Sequence, residues 1–134
     1  MTGVENFKIV TNITKIKNEL KEYDFETRLI RDAESYIAIA GDGEAVYLLY
    51  LLLPYQEKFK IHKRLIWKFK TLAYKLKAQP YLVTYDIIAA FYPLHALEDS
   101  GKHFILDLEK AQGLMFSFST IVSEQLQERL TISR

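Results

Sequence analysis

The stretch GDGEAVYLLYLLLP, residues 41–54, runs from an Asp-Gly turn signal into nine consecutive uncharged residues, Ala45 to Leu53. A strand with one wet face alternates apolar and polar side chains, and this one does not alternate. Continuous apolar strands belong in the middle of sheets covered on both faces, so the rest of the chain must supply a layer on each side. The run is far too short to cross a bilayer, which takes roughly 18 apolar residues.

The chain is long enough to surround such a strand. Its 134 residues are 49 % hydrophobic, which suits one sizeable core and a single domain over residues 1–134. Cysteine is absent, so disulfides and thiolate metal sites are excluded and a reducing interior is the natural setting. The opening MTGVENFKIV lacks the charged head and apolar middle of a secretory signal. A cytoplasmic location without membrane contact is therefore expected.

Periodicity supplies the layers. Ile13, Ile16 and Leu20 recur at helical spacing and predict an amphipathic helix over about 5–22. Residues 27–30 and 36–40 read as short strands, and Asp42-Gly43 reads as a two-residue hairpin turn into a strand over 46–53. Leu65, Phe69, Leu72 and Leu76, with Ile66 and Ala73 beside them, form the apolar stripe of a main helix over 62–78. Pro80 stops that helix and opens a strand over 81–85. Residues 91–97, interrupted by Pro93, suggest an edge strand. Further strands over 103–108 and 114–118 and a closing helix over 121–130 complete an α-β-β-β-α-β order, which predicts an α/β fold with a mixed sheet.

Catalytic constellations are sparse. Gly41 and Gly43 flank an Asp in a hairpin and form no phosphate loop. His62, His95 and His103 show no ligand spacing, no Ser or Thr stands in a nucleophile elbow, and the carboxylate pairs Asp32/Glu34 and Asp42/Glu44 occupy turn-like positions. Charge is more telling than chemistry. The net charge is only +1, yet Lys58, Lys60, Lys63, Arg64, Lys68, Lys70, Lys75 and Lys77 lie in a stretch without an acid until Asp86. One face must be basic, as suits nucleic acid, an acidic partner or simply a solvated helix.

Four phrases in this order resemble the archaeal Holliday junction resolvases of the PD-(D/E)xK nuclease superfamily: IVTNITKIKNELKEYDF, IAIAGDGEAVYLLYLLL, KRLIWKFKTLAYKLKAQPYLVTYD and LMFSFSTIVSEQL. The similarity covers nearly the whole chain and implies a restriction-endonuclease-like core, a central mixed sheet flanked by helices. In that family a Glu on the first helix, an Asp on the strand before the hairpin and a Glu-x-Lys on the strand after it hold Mg²⁺ and polarise the attacking water. Carried onto this chain, these positions are Ile13, Ile37, Tyr50 and Leu52. None offers a carboxylate or an ammonium, and no Glu-x-Lys or Asp-x-Lys lies between Val46 and Pro54.

The resemblance thus implies a catalytically inactive resolvase-like protein, without metal or cofactor, that works by binding in DNA recombination or repair. One mode is contact with branched or duplex DNA through the basic residues of 58–77. The other is a protein-interaction subunit, paired with an active resolvase or with a recombination or repair ATPase and anchored by Trp67 and Tyr74, which lie between two basic rows of the main helix, Lys63/Lys70/Lys77 and Arg64/Lys68/Lys75. A two-fold homodimer or heterodimer sharing Leu72 and Leu76 is implied as well. A structural subunit like that of the tRNA-splicing endonuclease shares part of the topology and remains a further reading.

Overall fold

Strand β3 (Val46–Leu52) lies inside a six-stranded sheet, paired antiparallel to β2 (Tyr36–Gly41) on one side and parallel to β5 (Gln79–Tyr85) on the other. The computed structural model describes residues 13–21, 26–31, 35–41, 46–86, 89–111 and 116–117. Beyond β2 lies β1 (Glu26–Arg31), and beyond β5 lie β6 (Ala89–Pro93) and β9 (Phe116–Ser117), giving the order β1-β2-β3-β5-β6-β9. A three-stranded antiparallel sheet of β4 (Lys58–His62), β8 (His103–Asp107) and β7 (Glu98–Ser100) stands beside it. Two helices complete the described residues, α1 over 13–21 and α2 (Lys63–Leu76), with a short 3₁₀ turn at Leu94–Ala96.

Strand alternation divides the interior into two cores. Leu48, Tyr50 and Leu52 of β3 point to one face, where Ile37, Leu82 and Tyr92 join Ile66, Phe69 and Ala73 of α2 and Phe59, Ile61 and Leu106 of the small sheet. Tyr47, Leu49 and Leu51 point to the other, where Ala38, Ala40, Val83 and Phe91 meet Ile13, Ile16 and Leu20 of α1. Every residue of β3 after Val46 is buried, as the missing alternation requires. The architecture is a mixed α/β fold with its sheet covered on both faces.

Helix α2 is capped at both ends by its own sequence. At its start the Nδ1 of His62 accepts from the Arg64 backbone N–H at 3.1 Å, satisfying a donor that would otherwise face water alone. At its end Lys77 adopts the left-handed conformation (φ 52°), and the N–H groups of Lys77 and Ala78 donate to Tyr74 and Ala73. That conformation suits glycine; a Cβ there is strained.

Several boundaries differ from the sequence expectations. Gly41 pairs with Val46, so four residues connect β2 and β3, where a two-residue Asp42-Gly43 turn would set Gly41 against Glu44. The strand expected over 91–97 ends at Pro93, which has no N–H to carry the ladder onward, and the chain continues as the 3₁₀ turn. It is not an edge strand, because β6 pairs with β5 on one side and β9 on the other. Strand β4 was not anticipated: its alternating Lys-Phe-Lys-Ile pattern lies within a stretch dominated by charge. The ends of the first helix and the closing helix over 121–130 lie outside the described residues.

Replacing Lys77 with glycine should raise stability by about 1 kcal/mol, because it removes the Cβ penalty of the left-handed position. Urea unfolding checks this: an unchanged or lower midpoint for Lys77→Gly contradicts the capping geometry.

Candidate functional site

The hairpin positions that the resolvase resemblance assigns to an active site, Ile37, Tyr50 and Leu52, are packed interior. Ile37 of β2 stands directly opposite Tyr50 of β3, and Leu52 lies two residues further along the same face. All three are buried in the core beneath α2, with the Tyr50 ring edge-on to Phe69 at 5.3 Å between centroids. Ile13 does not join them. It packs with α1 against the opposite face of the sheet, because α1 covers the side to which Ala38, Ala40 and Leu49 point. The hairpin positions are thus together and the helix position is not.

This group does not fit a divalent cation. Mg²⁺ takes carboxylate and other hard oxygen ligands, whereas these side chains are two aliphatics and a phenol. Among the described residues no group of three or more His, Asp or Glu gathers where a metal could be held.

The basic stretch divides into neutralised and open charges. Lys63 donates to Asp99 at 2.7 Å and lies over the Phe104 ring at 5.3 Å, its side chain largely withdrawn from water. Lys58 stands 3.7 Å from Asp107. Both counterions come from the small sheet, so Lys58 and Lys63 are not simply part of a solvated face. Lys60, Lys68, Lys70, Lys75 and Lys77 are exposed, and no acid among the described residues lies within ion-pair distance of them. Arg64 is exposed as well.

Around these cations the outer face of α2 carries large apolar groups. Trp67 is 58 % exposed, Tyr74 86 % and Leu76 39 %. Leu72 is half-buried and packs against the α2-side core. Arg64, Trp67, Lys68, Thr71, Leu72 and Lys75 line a shallow open groove along the helix. The Thr71 hydroxyl donates back to the Trp67 carbonyl at 2.9 Å, so it is engaged within the helix.

Two comparisons place the chain among known proteins. It is 52 % identical over 120 residues to the uncharacterized protein ORF6 of Methanothermobacter thermautotrophicus, covering 90 % of this chain and 98 % of that one. The chain belongs to the ORF6 family. A second member of the same organism, ORF6', is 51 % identical over 120 residues. No protein-family model matches. In three dimensions the chain is similar to Archaeoglobus fulgidus Hjc, a Holliday junction resolvase from an archaeal hyperthermophile, with a TM-score of 0.76 over 85 % of this chain and 94 % of that one. At 16 % identity the likeness establishes the fold: this ORF6-family chain has the restriction-endonuclease-like architecture. Among the described residues no helix is long and apolar enough to cross a membrane.

Two further polar sites had no signal in the sequence. His62 and His103, far apart along the chain, face each other across β4 and β8 with ring centroids 5.2 Å apart; His95 lies elsewhere, on the 3₁₀ turn. On the rim between the sheets, Tyr55, Glu57, Lys58, Tyr92, Asp107, Leu108 and Glu109 line a concavity of about 650 Å³. Burial raises the Tyr92 phenol above its ordinary pKa; a hydrogen bond with Thr84 opposes this, and Tyr55 adds to it. His62 and His103 are both partly in water, and the concavity at Tyr92 is open to solvent.

His103 is expected to make stability depend on pH. Partial burial holds the His103 imidazole below its ordinary 6.5, and the charges of Lys60, His62 and Lys102 push the same way. The folded state therefore binds this proton less readily than the unfolded chain, so the contribution is complete above about pH 6.5 and is lost as pH falls through the lower folded value. The urea midpoint should drop on acidification through this window, and His103→Gln should flatten the drop. Identical profiles for the two proteins would show that the pair is not responsible.

Proposed function

We propose that this ORF6-family protein is a resolvase-fold protein that binds DNA without cutting it. The observation that carries the reading is the packing of Ile37, Tyr50 and Leu52 under α2, where cleavage would need carboxylates and a lysine. Burying aliphatic groups there contributes on the order of 1.5–3 kcal/mol each, whereas clustered acids would repel and require a metal. With the reaction gone, the remaining capacity is contact, and the open cations of β4 and α2 suit the phosphate backbone. A cytoplasmic setting goes with this role.

Association is part of the proposal. Leu72 and Leu76 share one edge of α2, with Leu72 packed inward and Leu76 partly in water. A two-fold neighbour, a second copy or a related resolvase-like chain, would cover that edge. The second reading, an interaction subunit of another nuclease or of a recombination ATPase, is favoured by the aromatic exposure of Trp67 and Tyr74, since exposed aromatics anchor protein interfaces.

Three measurements test this. Purified protein should leave four-way junctions and duplexes intact with Mg²⁺ or Mn²⁺; cutting that survives repurification overturns the non-catalytic assignment. Gel-shift retention should weaken steeply with salt, losing about one unit of log–log slope for each phosphate contact removed. Changing Lys60, Lys68, Lys70 and Lys75 to Glu should abolish retention while circular dichroism stays unchanged, because all four side chains are exposed. Absence of any shift at low salt removes the DNA reading and leaves the interaction reading in place. In light scattering the wild type should have the mass of two chains, and Leu76→Glu the mass of one; a wild-type mass of one chain at micromolar concentration excludes the homodimer.

A further inference from the structure

We propose that the outward face of α2 is a stacking platform for unpaired nucleobases, with Trp67 as the principal ring, Tyr74 as the second, and Lys68 and Lys75 holding the neighbouring phosphates. This rests on the DNA-binding reading and specifies which DNA is preferred: single strands, or the unpaired segments of branched molecules. Trp67 and Tyr74 are seven residues apart and therefore on one edge of the helix, separated by about 10 Å along its axis. Neither ring is needed by the interior. Ile66, Phe69 and Ala73 already fill the contact between α2 and the sheet, so both aromatics stay in water at a cost in exposed apolar surface.

The surroundings select the occupant. Between residues 58 and 85 no acidic side chain occurs, and the groove beside Trp67 is lined by Arg64, Lys68 and Lys75 together with Leu72. A flat ring in a cationic groove matches the two chemical halves of a nucleotide, since the base stacks while the phosphate is neutralised. A second copy of this chain docked on the same face would bring Arg64, Lys68 and Lys75 against their own equivalents, and like charges across an interface are repulsive. Leu76 lies outside that groove, and a two-fold contact centred on it leaves the Trp67 face available. A blunt duplex can satisfy the lysines but presents no free base face along its length.

Trp67 is the sole tryptophan, so intrinsic fluorescence of the full chain reports on this face alone. Titration with oligothymidylate at low salt should quench it saturably, and a blunt duplex of equal length should quench it little. With labelled oligonucleotides, Trp67→Ala should weaken single-strand binding roughly tenfold, the scale of one base–aromatic stack, and leave duplex affinity unchanged, while Trp67→Phe should retain most of the preference. Equal binding of single strand and duplex, insensitive to Trp67→Ala, overturns the platform but leaves DNA binding intact. Failure of both probes to bind overturns both readings. An emission blue-shift with protein concentration alone, or quenching by polyglutamate equal to that by oligothymidylate, assigns the face to a second copy or to an acidic chain and overturns the proposal.

Discussion

The burial of β3 on both faces is the constraint on which the rest of this structure depends. Tyr47, Leu49 and Leu51 commit one face and Leu48, Tyr50 and Leu52 the other, and each side chain is worth about 1.5–3 kcal/mol only while something covers it. Both helix layers exist to do this. Helix α1 lies over the side where Ala38 and Ala40 leave room, and α2 lies over the side filled by Tyr50 and Leu82. The parallel pairing of β3 with β5 follows from the same demand, because the segment carrying β4 and α2 must cross over the sheet before the chain returns beside β3.

This packing shows that the restriction-endonuclease-like architecture can hold together with hydrocarbon at Ile37, Tyr50 and Leu52. The positions of β2 and β3 that the resolvase resemblance assigns to metal ligands and lysine are Ile37, Tyr50 and Leu52, and all three belong to the core beneath α2. An ionised carboxylate among Phe69, Ile66 and Leu82 would lose its hydration without gaining a partner. Hydrocarbon in place of the charged residues that the resemblance implies makes these positions part of the core. Ile13 stands apart from this exchange because it serves the other core.

The outer side of α2 is shaped by a different balance. The small sheet places Asp99 against Lys63 and Asp107 against Lys58, so the charges nearest its edge are internally compensated. Lys68, Lys70, Lys75 and Lys77, further out on the helix, have no such acidic neighbours among the described residues, and they lie on the same helix as Trp67 and Tyr74. Electrostatic capacity for a polyanion is thereby concentrated where the aromatic rings are, away from the compensated edge.

The sequence by itself determined the layered α/β class, the doubly buried strand, the span of α2, and the absence of carboxylate and lysine along β3, because these follow from local periodicity and from side-chain chemistry; the buried face of α2 is centred on Ile66, Phe69 and Ala73 rather than on the Leu65/Phe69/Leu72/Leu76 stripe, with Leu76 left 39 % exposed. It also carried the period-two pattern of β4, obscured by the lysines that compose half of it. Only the tertiary structure decided which lysines are neutralised, that His62 and His103 stand opposite each other, and that Ile13 faces away from Ile37, Tyr50 and Leu52. Those outcomes depend on strand register and on which face each helix covers, and register is set by contacts between residues far apart in the chain, where no local pattern in the sequence can reach.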